Sequence, residues 1–498
     1  MNKYRLEIIV FITGAVVMAL ELVGSRIVAP YLGTSIYVWT SLIGVILASL
    51  SVGYYWGGRL ADKKLGYKTF SILIFFCALL VGIIAIIKTP VLDIVSKSVP
   101  DVRLGAVIAA TILFAPASIL LGSVSPYAIR LRMEDIAHSG ATVGRLYAIS
   151  TAGSIIGTFS TGFFLISFLG SRNILFFLSF VLFIVYFLAC FENKLRAAKA
   201  AAIVLTAGFL SVYFFQSSVS GNAIADIDTK YNRVLIEEMK DSNTGKTIRF
   251  LRVDRSWAQS AVVVGEPDEL FFSYAKFYRL IEHFCPENKN ALLIGGGAYT
   301  VARDYLRRNP DNSIDVIEID PDFTLLAKKY FYLKDDPRIR SIHEDGRTFL
   351  KRATKKYDVI FIDVFKSSAS PPFYMTTEEA MQESSALLND KGVLITNIYS
   401  AIQGEKGKFF RAAYATIKSV FPNVYIFPVQ YPMQPEELQN LIIVAIKSGR
   451  ADKLTSSDPE QNIYLSHCWQ HKIDCDIPVL RDEFAPVEHY LAEVIKAL

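Results

Sequence analysis

Charged side chains are scarce in this chain of 498 residues, where Asp, Glu, Lys and Arg together make up only 20%. Hydrophobic residues make up 52%, and the mean hydropathy of +0.34 is well above that of a soluble enzyme. That hydrophobic excess lies almost wholly before Ser218, whereas charges crowd the part after it. A chain of this length is too long for one compact core, so we expect two domains of opposite character.

The chain also lacks a large excess of either charge sign, since its formal net charge is +5. Its basic residues cluster at the ends of hydrophobic segments, where positive-inside loops put them, so they require no nucleic-acid partner. No early apolar stretch is followed by a small-residue cleavage site, and we therefore expect no removable signal peptide.

Cysteine is sparse, with five residues in the chain. Cys468 and Cys475, with His467 and His471 nearby, form the single cluster of metal-binding residue types. Structural zinc sites show clearer paired spacing, so we predict no metal site. We interpret these cysteines as surface or packing residues, and a metal ion or a disulfide stays open as the alternative.

Long hydrophobic runs are abundant in the first part of the chain. A helix needs about 20 apolar residues to cross a hydrocarbon layer of about 30 Å. Candidate segments are apolar on all faces rather than along one stripe, which argues against soluble helices. They cover residues 8–32, 37–58, 69–88, 105–128, 146–169, 172–191 and 200–217. We therefore predict an all-α bundle of about seven transmembrane helices over residues 1–218, with the lipid bilayer of the cell membrane around it.

Small residues recur four apart in the second segment, as Ser49, Gly53 and Gly57, and in the fifth, as Gly153 and Gly157. This spacing lets helix backbones approach closely, so it indicates a packed bundle rather than isolated anchors.

Two charges, Glu21 and Arg26, lie inside the first hydrophobic segment. Because a charge in lipid is costly, each should face the bundle interior or pair there. A substrate or proton path and a structural pair that fixes helix register are both open interpretations. Loop charges favour an N-terminus on the inside. Seven spans would then place the polar domain outside the cytoplasm, away from most nucleoside cofactors, and its side of the membrane stays open.

The polar part begins with short alternating stretches, such as TIRFLRVD and SAVVVGEP, followed by helical periodicity. This pattern predicts a small β-rich lead-in with a helix over residues 219–287. Strand-like and helical segments then alternate over residues 288–498, which predicts a doubly wound parallel sheet of Rossmann-like type. In such sheets ligands bind outside the carboxyl ends of the strands.

A glycine turn follows the first of these strands. Gly295, Gly296 and Gly297 let a ligand approach the backbone where the next helix presents free N–H groups. Glu318 ends the second strand, where a carboxylate can accept both hydroxyl groups of a ribose. The two features together predict a site for a nucleoside-type ligand.

Acidic residues also follow the third and fourth predicted strands. Asp345 and Gly346 are placed to hydrogen-bond a base amino group or to line its pocket, and Asp363 should face the reacting centre. Because the strand ends meet at one edge, we expect these residues to converge. The alternative interpretation is that they are only turn and helix-cap residues.

Nearly the whole polar half resembles the spermidine synthases, aminopropyltransferases that carry a class I methyltransferase-type fold. The matching stretches are DTKYNRVLIEE, WAQSAVV, PDELFFSYAKF, LLIGGGAYT, DVIEIDP, HEDGRTFL, YDVIFIDVF and FYMTTEEAM, in that order. The stretch ALELVGSRIVAPYLG is similar to the opening of prokaryotic forms that are fused to a multi-pass membrane bundle.

The resemblance implies a role in polyamine biosynthesis. Decarboxylated S-adenosylmethionine or S-adenosylmethionine itself, as a co-substrate and not a prosthetic group, would be bound by Gln259, the glycine turn, Glu318, Asp345 and Asp363. Asp363 would act as the catalytic residue by keeping an attacking amine deprotonated and aimed at the carbon next to the sulfonium. The sulfonium is a good leaving group, so no metal or covalent nucleophile is needed.

Four positions depart from the family's pattern. An acid normally follows the third glycine, and here Ala298 and Tyr299 stand there. A second acid normally stands three places after the catalytic one, and here that place is Lys366. A pocket tyrosine is replaced by Phe272 and a glutamine by Asn232. We therefore regard Asn232, Phe272, Tyr299 and Lys366 as candidate substrate-pocket residues.

Loss of one acid and gain of a lysine weaken the attraction for ammonium groups, by roughly a few kcal/mol each in a partly buried site. Putrescine should therefore be a poor substrate, and a donor with a carboxylate or an acidic or lipid-borne acceptor should fit better. Three functions stay open: an aminopropyltransferase-like enzyme acting on a small amine, which we favour, a nucleoside or polyamine sensor on a transporter-like bundle, and an inactive scaffold. A homodimer is an open alternative for its assembly.

Overall fold

The computed structural model describes residues 4–497 except 34, 100, 134–138, 191–222, 243, 254–257, 366–369, 433 and 450–452. The chain divides into two compact units. The first comprises Met1–Gly221 with Asp228–Arg233, and the second comprises Asn222–Ile227 with Val234–Leu498.

Six long apolar helices build the first unit, and each is long and apolar enough to cross a membrane. They are α1 (Arg5–Leu32), α2 (Ile36–Lys63), α3 (Tyr67–Ser98), α4 (Val102–Arg132), α5 (Ser139–Ser160) and α6 (Ile166–Ala189), with a π-helical turn at Thr161–Leu165. The seventh predicted segment, 200–217, lies outside the described residues. Six of the predicted segments are therefore helices of membrane-spanning length, and the total number of spans stays a prediction.

Glycines allow two helix pairs of the first unit to approach closely. A side chain at Gly153 of α5 would overlap the carbonyl oxygen of Phe11 in α1. In α2, a Cβ at Gly57 would lie 2.5 Å from the carbonyl oxygen of Ser123 in α4. The close helix contacts that the small-residue spacing predicts are thus present in both pairs.

We expect Gly57→Ala to destabilise the bundle, because its methyl group would overlap the backbone of α4. Overpacking of this kind costs roughly 1–3 kcal/mol. Gly58→Ala is the matched control, since a Cβ at Gly58 meets no atom within 4 Å. Thermal unfolding of the detergent-solubilised protein should show a lower midpoint for Gly57→Ala alone. Equal midpoints for the two variants would contradict this packing.

The two charges inside α1 do not pair with each other. The Arg26 guanidinium donates hydrogen bonds to the carbonyl oxygens of Thr229, at 2.7 Å, and Lys230, at 3.0 Å, both within the first unit. No ion pair joins Arg26 to Glu21, both of which the structure describes. The interpretation of Glu21 and Arg26 as a structural pair is therefore wrong. A role of these residues in a substrate or proton path stays a prediction.

A five-stranded sheet opens the second unit, with its strands in the order β1-β2-β3-β4-β5. The strands are β1 (Ala223–Asp228), β2 (Arg233–Lys240), β3 (Thr247–Val253), β4 (Ala258–Val263) and β5 (Glu266–Leu270). Neighbours from β2 to β5 run antiparallel, as expected for the short alternating stretches of the lead-in.

A seven-stranded sheet follows, in the order β11-β12-β10-β9-β6-β7-β8. Its strands are β6 (Asn290–Ile294), β7 (Ser313–Ile317), β8 (Ile339–Ile342), β9 (Tyr357–Ile362), β10 (Leu388–Ser400), β11 (Asn423–Pro428) and β12 (Gln439–Ile446). The five strands from β6 to β10 are parallel, whereas β12 runs antiparallel to both of its neighbours. The predicted all-parallel sheet is thus wrong at this edge, because the link from β11 to β12 is too short for a parallel crossover.

Helices connect the parallel strands. The helices of the second unit are α7 (Ser273–Lys276), α8 (Ile281–Phe284), α9 (Thr300–Arg308), α10 (Pro321–Tyr330), α11 (Gly346–Arg352), α12 (Glu378–Leu387), α13 (Lys408–Val420), α14 (Pro459–Ser466), α15 (Val487–Tyr490) and α16 (Ala492–Ala497). Because β6 lies between β7 and β9, the connections leave it in opposite directions. The crevice outside the carboxyl ends of β6 and β9 is therefore the topological switch point, where ligands bind in such sheets.

Candidate active site

The glycine turn after β6 lies directly against the end of β9. Gly295 and Gly297 have φ values of +96° and +51°, in the left-handed region that favours glycine. A side chain at Gly295 would overlap the carbonyl oxygen of Asp363. The backbone N–H of Asp363 also donates to the carbonyl oxygen of Ile294, at 3.0 Å. The turn and Asp363 are therefore held together at the switch point.

Glu318, at the end of β7, binds the glycine turn itself. One carboxylate oxygen accepts hydrogen bonds from the N–H groups of Gly296 and Gly297, at 3.0 and 3.1 Å, and the other accepts from Asp320, at 3.0 Å. Burial raises the pKa of Glu318, and these backbone donors oppose the shift. A carboxylate offers about four lone-pair sites, so roughly one is left for a ribose hydroxyl. Recognition of both hydroxyl groups would require the side chain to release part of the turn.

Asp363 is largely buried between two polar side chains. The Tyr274 hydroxyl donates to one carboxylate oxygen, at 3.4 Å, and the Asn397 amide donates to the other, at 3.5 Å. Burial raises the pKa of Asp363 to about 6, although these donors favour the charged form and limit the shift. A carboxyl group that titrates near neutral pH in a crevice is suited to proton transfer.

Two further polar groups of this cluster are buried. The amide oxygen of Asn397 has no hydrogen-bond partner among the described residues, whereas the Tyr278 hydroxyl interacts with the Asp363 carboxylate without a well-formed hydrogen bond. Burial is the main cause that raises the pKa of Tyr278, and the charge of Asp363 is the second. Sequence analysis missed Tyr274, Tyr278 and Asn397. The available signals were two tyrosines four residues apart in YAKFYRL and a lone amide in the apolar strand VLITNIYS.

The lead-in contributes two of the predicted residues to this cluster. The backbone oxygen of Gln259 in β4 lies 3.5 Å from the Tyr274 hydroxyl and is a second acceptor for the one proton that this hydroxyl shares with Asp363. The Phe272 ring stacks on the Tyr274 ring, with centroids 5.9 Å apart. Gln259 and Phe272 are therefore both in contact with the side chain that touches Asp363.

Asp345 serves as the N-cap of α11. One of its oxygens accepts hydrogen bonds from the N–H and hydroxyl groups of Thr348, and the other accepts from the Tyr374 hydroxyl, at 3.1 Å. A Cβ at the neighbouring Gly346 would lie 2.6 Å from the side chain of Ile294, at the end of β6. Asp345 therefore makes the contacts of a helix-cap residue, as the alternative interpretation predicts. It also lies beside the crevice.

Tyr299 does not present a surface to a substrate in this structure. Its side chain is fully buried, and its hydroxyl contacts Thr324, at 2.7 Å, and Ser341, at 3.1 Å. Tyr299 has a left-handed backbone, and its ring packs against Gly296. Its role in a substrate pocket stays a prediction.

Two other candidates are not part of this cluster as described. Asn232 lies in the turn that begins at Thr229, within the first unit, and its pocket role stays a prediction. Lys366 lies outside the described residues. Cys468 and Cys475 are free thiols, so the disulfide alternative is not formed. Over the described ranges, no group of three or more His, Cys, Asp or Glu side chains could hold a metal ion.

The strand order defines an α/β domain built on a mixed seven-stranded sheet, with an acid at its switch point. Residues 278–454 match the family described as "Spermine/spermidine synthase domain". The polyamine aminopropyltransferase of Vibrio vulnificus (strain CMCP6) is 31% identical over 180 residues, which cover 36% of this chain and 56% of that protein. The polyamine aminopropyltransferase of Alkaliphilus metalliredigens (strain QYMF) is 29% identical over 182 residues, covering 35% of this chain and 62% of that protein.

A solved structure of a probable spermidine synthase from Corynebacterium glutamicum ATCC 13032 aligns with 50% of this chain and 86% of its own, at 21% identity and a TM-score of 0.41. The chain spans little more than half the length of the two curated relatives. The predicted resemblance of the polar half to spermidine synthases is confirmed by the matched residues 278–454.

We expect Asp363→Asn to stabilise the protein at alkaline pH. The pKa of Asp363 is raised from 3.8 to about 6, so the folded protein holds this proton more tightly than the unfolded chain. The group's contribution to stability is full below pH 3.8 and is lost as the pH rises through about 6. Removing the buried charge should therefore add up to roughly 3 kcal/mol at pH 8, at about 1.4 kcal/mol per pKa unit.

Thermal unfolding at pH 5 and pH 8 measures this effect. The midpoint of Asp363→Asn should exceed that of the unaltered protein by more at pH 8 than at pH 5. Asp390→Asn, at an exposed aspartate, is the control and should change neither midpoint. A stabilisation that does not depend on pH would show that the Asp363 charge is not destabilising.

Proposed function

We propose that the polar half is a transferase that moves an aminopropyl or related group from a decarboxylated S-adenosylmethionine-type donor to an amine acceptor. The observation that carries the proposal is the Asp363 carboxylate, largely buried, with a pKa of about 6, beside the glycine turn at the switch point. The matched family and the names of the curated relatives support the same chemistry.

In the proposed reaction, the lone pair of the acceptor amine attacks the carbon next to the sulfonium. The new N–C bond forms as the C–S bond breaks, and the departing electron pair leaves sulfur as a neutral thioether. Asp363 takes the proton released by the amine, for which a pKa near the working pH is well suited. Holding the two reactants in line supplies much of the remaining rate enhancement.

The donor would lie over the glycine turn, with its ribose at Glu318 and its base near Asp345 and Gly346. Glu318 has roughly one lone-pair site left beside its three backbone donors, so one ribose hydroxyl fits without rearrangement. Gln259 would contact the donor from the lead-in sheet. Any second hydroxyl contact would compete with the N–H groups of the glycine turn.

The acceptor side of the cluster carries one acid and several neutral polar groups. Asp363 is its carboxylate, and Tyr274, Tyr278 and Asn397 add hydroxyl and amide groups. Such a cluster has one site for an amine and no second acid among its described residues. An acceptor with a single amine therefore fits better than a diamine, in agreement with the substitutions at Ala298 and Lys366.

We expect Asp363→Asn to reduce turnover by about 10²- to 10⁴-fold, the usual contribution of a positioned general base. The assay follows formation of the thioether product by the full-length protein in detergent, with a panel of amine acceptors. Asp390→Asn is the control and should keep full activity. Undiminished turnover in Asp363→Asn would remove Asp363 from the mechanism.

We expect Tyr274→Phe to shift the acidic limb of the pH–rate profile to higher pH. The Tyr274 hydroxyl donates to the Asp363 carboxylate and so favours its charged form, and its loss should raise the pKa of Asp363. The rate should then begin to fall at a pH above about 6 as the solution is acidified. Tyr330→Phe is the control for loss of a hydroxyl, and an unchanged profile in Tyr274→Phe would contradict the coupling.

A sensor or scaffold for a transporter-like bundle is the second candidate function. Two observations favour this function. The Glu318 carboxylate is bound by backbone N–H groups, and the Tyr299 ring points inward, so both leave less polar surface for a donor. This function predicts binding of a sulfonium nucleoside or its thioether without turnover. Calorimetry of the full-length protein with both donors and both thioethers separates it from catalysis.

We also propose that the protein is a multi-pass protein of the cell membrane, because its six described apolar helices are each long enough to span a bilayer. An even number of spans returns the polar half to the side of the N-terminus, and an odd number places it opposite. A reporter fused to the C-terminus distinguishes the two arrangements.

A further inference from the structure

A second cavity, of about 310 Å³, lies at the β11 edge of the seven-stranded sheet. Its walls are α13, β11 and residues 468–475, which we call the strap. The backbone N–H of Trp469 donates to the carbonyl oxygen of Ile426, at 2.8 Å, and so fastens the strap to the edge strand. None of the residues placed in the candidate active site lines this cavity.

Aromatic rings form much of its wall. Tyr414 comes from α13, Tyr425 from β11, and Trp469 and His471 from the strap. The rings of Trp469 and His471 stand edge to face, with centroids 4.9 Å apart and an interplanar angle of 65°. Flat walls of this kind accept a planar ring by stacking and edge contacts.

Two charged side chains line the cavity, Lys418 and Lys472, and no Asp or Glu occurs among its described lining residues. Asp474 of the strap is exposed and does not belong to this lining. Asp476, just beyond the strap, is engaged by the guanidinium of Arg411, at 2.6 and 3.0 Å. The cavity therefore attracts negative charge and holds no internal carboxylate to neutralise the lysines.

A buried hydrogen-bond donor in the same wall also lacks a partner. The indole N–H of Trp469 has no acceptor in the described part of the chain. An atom buried this completely does not face the open cavity, so a ligand there would contact the Trp469 ring and not its N–H group. The wall thus combines flat rings and two cations.

We propose that this cavity binds a small planar aromatic anion, a carboxylate or a phosphate, at a site separate from the transferase crevice. The ring would lie among Tyr414, Tyr425 and Trp469, and the oxygens would face Lys418 and Lys472. A volume of about 310 Å³ is at the lower end of the range for small-molecule sites, about 300–1,000 Å³. The proposal is independent of the reaction at Asp363.

The test is calorimetry of the full-length protein in detergent with 1-naphthyl phosphate, 1-naphthoate and the neutral 1-naphthol. Both anions should bind, and 1-naphthol should bind at least about tenfold more weakly, a difference of about 1.4 kcal/mol. Binding of the anions should also weaken as salt is added, because the lysines are near solvent. The ratio between the phosphate and carboxylate affinities tells which anion the site prefers.

Variants locate the site. Lys418→Met with Lys472→Met keeps the apolar stems and should lower the affinity for 1-naphthyl phosphate at least about tenfold. Trp469→Phe keeps an aromatic ring of smaller area and should weaken stacking, and with it binding, severalfold. Lys391→Met, at an exposed lysine of β10, is the matched control and should leave binding unchanged.

Asp363→Asn should bind 1-naphthyl phosphate as tightly as the unaltered protein, so failure of the proposed transferase would leave this result intact. Equal affinity for 1-naphthol and the anions would overturn the proposal. Unchanged affinity in the double lysine variant, with an unchanged thermal midpoint, would also overturn it.

Discussion

The candidate site depends on the close contact between Gly295 and the backbone of Asp363. Two parallel strands can bring their ends this near only where one of them carries no side chain. The contact holds Asp363 at the switch point, where it is largely buried, and that burial raises its pKa toward neutrality. A larger residue at Gly295 would separate the strand ends and return Asp363 to a more solvated position.

A buried acid with no cation among its described neighbours is destabilising, and hydrogen bonds to Asp363 offset this cost only in part. Tyr274 and Asn397 donate long hydrogen bonds to Asp363, and the Tyr278 hydroxyl interacts with it without a well-formed hydrogen bond. The Asn397 oxygen has no partner of its own among the described residues. Such incompletely satisfied polar groups are common where a site is prepared for a ligand rather than for folding. The buried carboxylate of Glu318 is more completely hydrogen-bonded, because backbone N–H groups donate to both of its oxygens.

The second unit thus carries two sites of opposite character. The switch point carries the acids Glu318 and Asp363, whereas the cavity under the strap is basic and aromatic. They lie at different positions along one sheet, at the central β6–β9 pair and at the β11 edge. Their separation allows each to be tested by substitutions that leave the other unchanged.

The sequence alone determined the features that depend on local pattern. Apolar length predicts the membrane-spanning helices, four-residue spacing of glycines predicts their close contacts, and strand–turn–helix order predicts where Gly295, Glu318 and Asp363 lie. Only the tertiary structure decided the partners of these groups. Tyr274 and Asn397 reach Asp363 from 89 and 34 residues away. The inward ring of Tyr299 likewise follows from packing between distant segments, which no local pattern encodes.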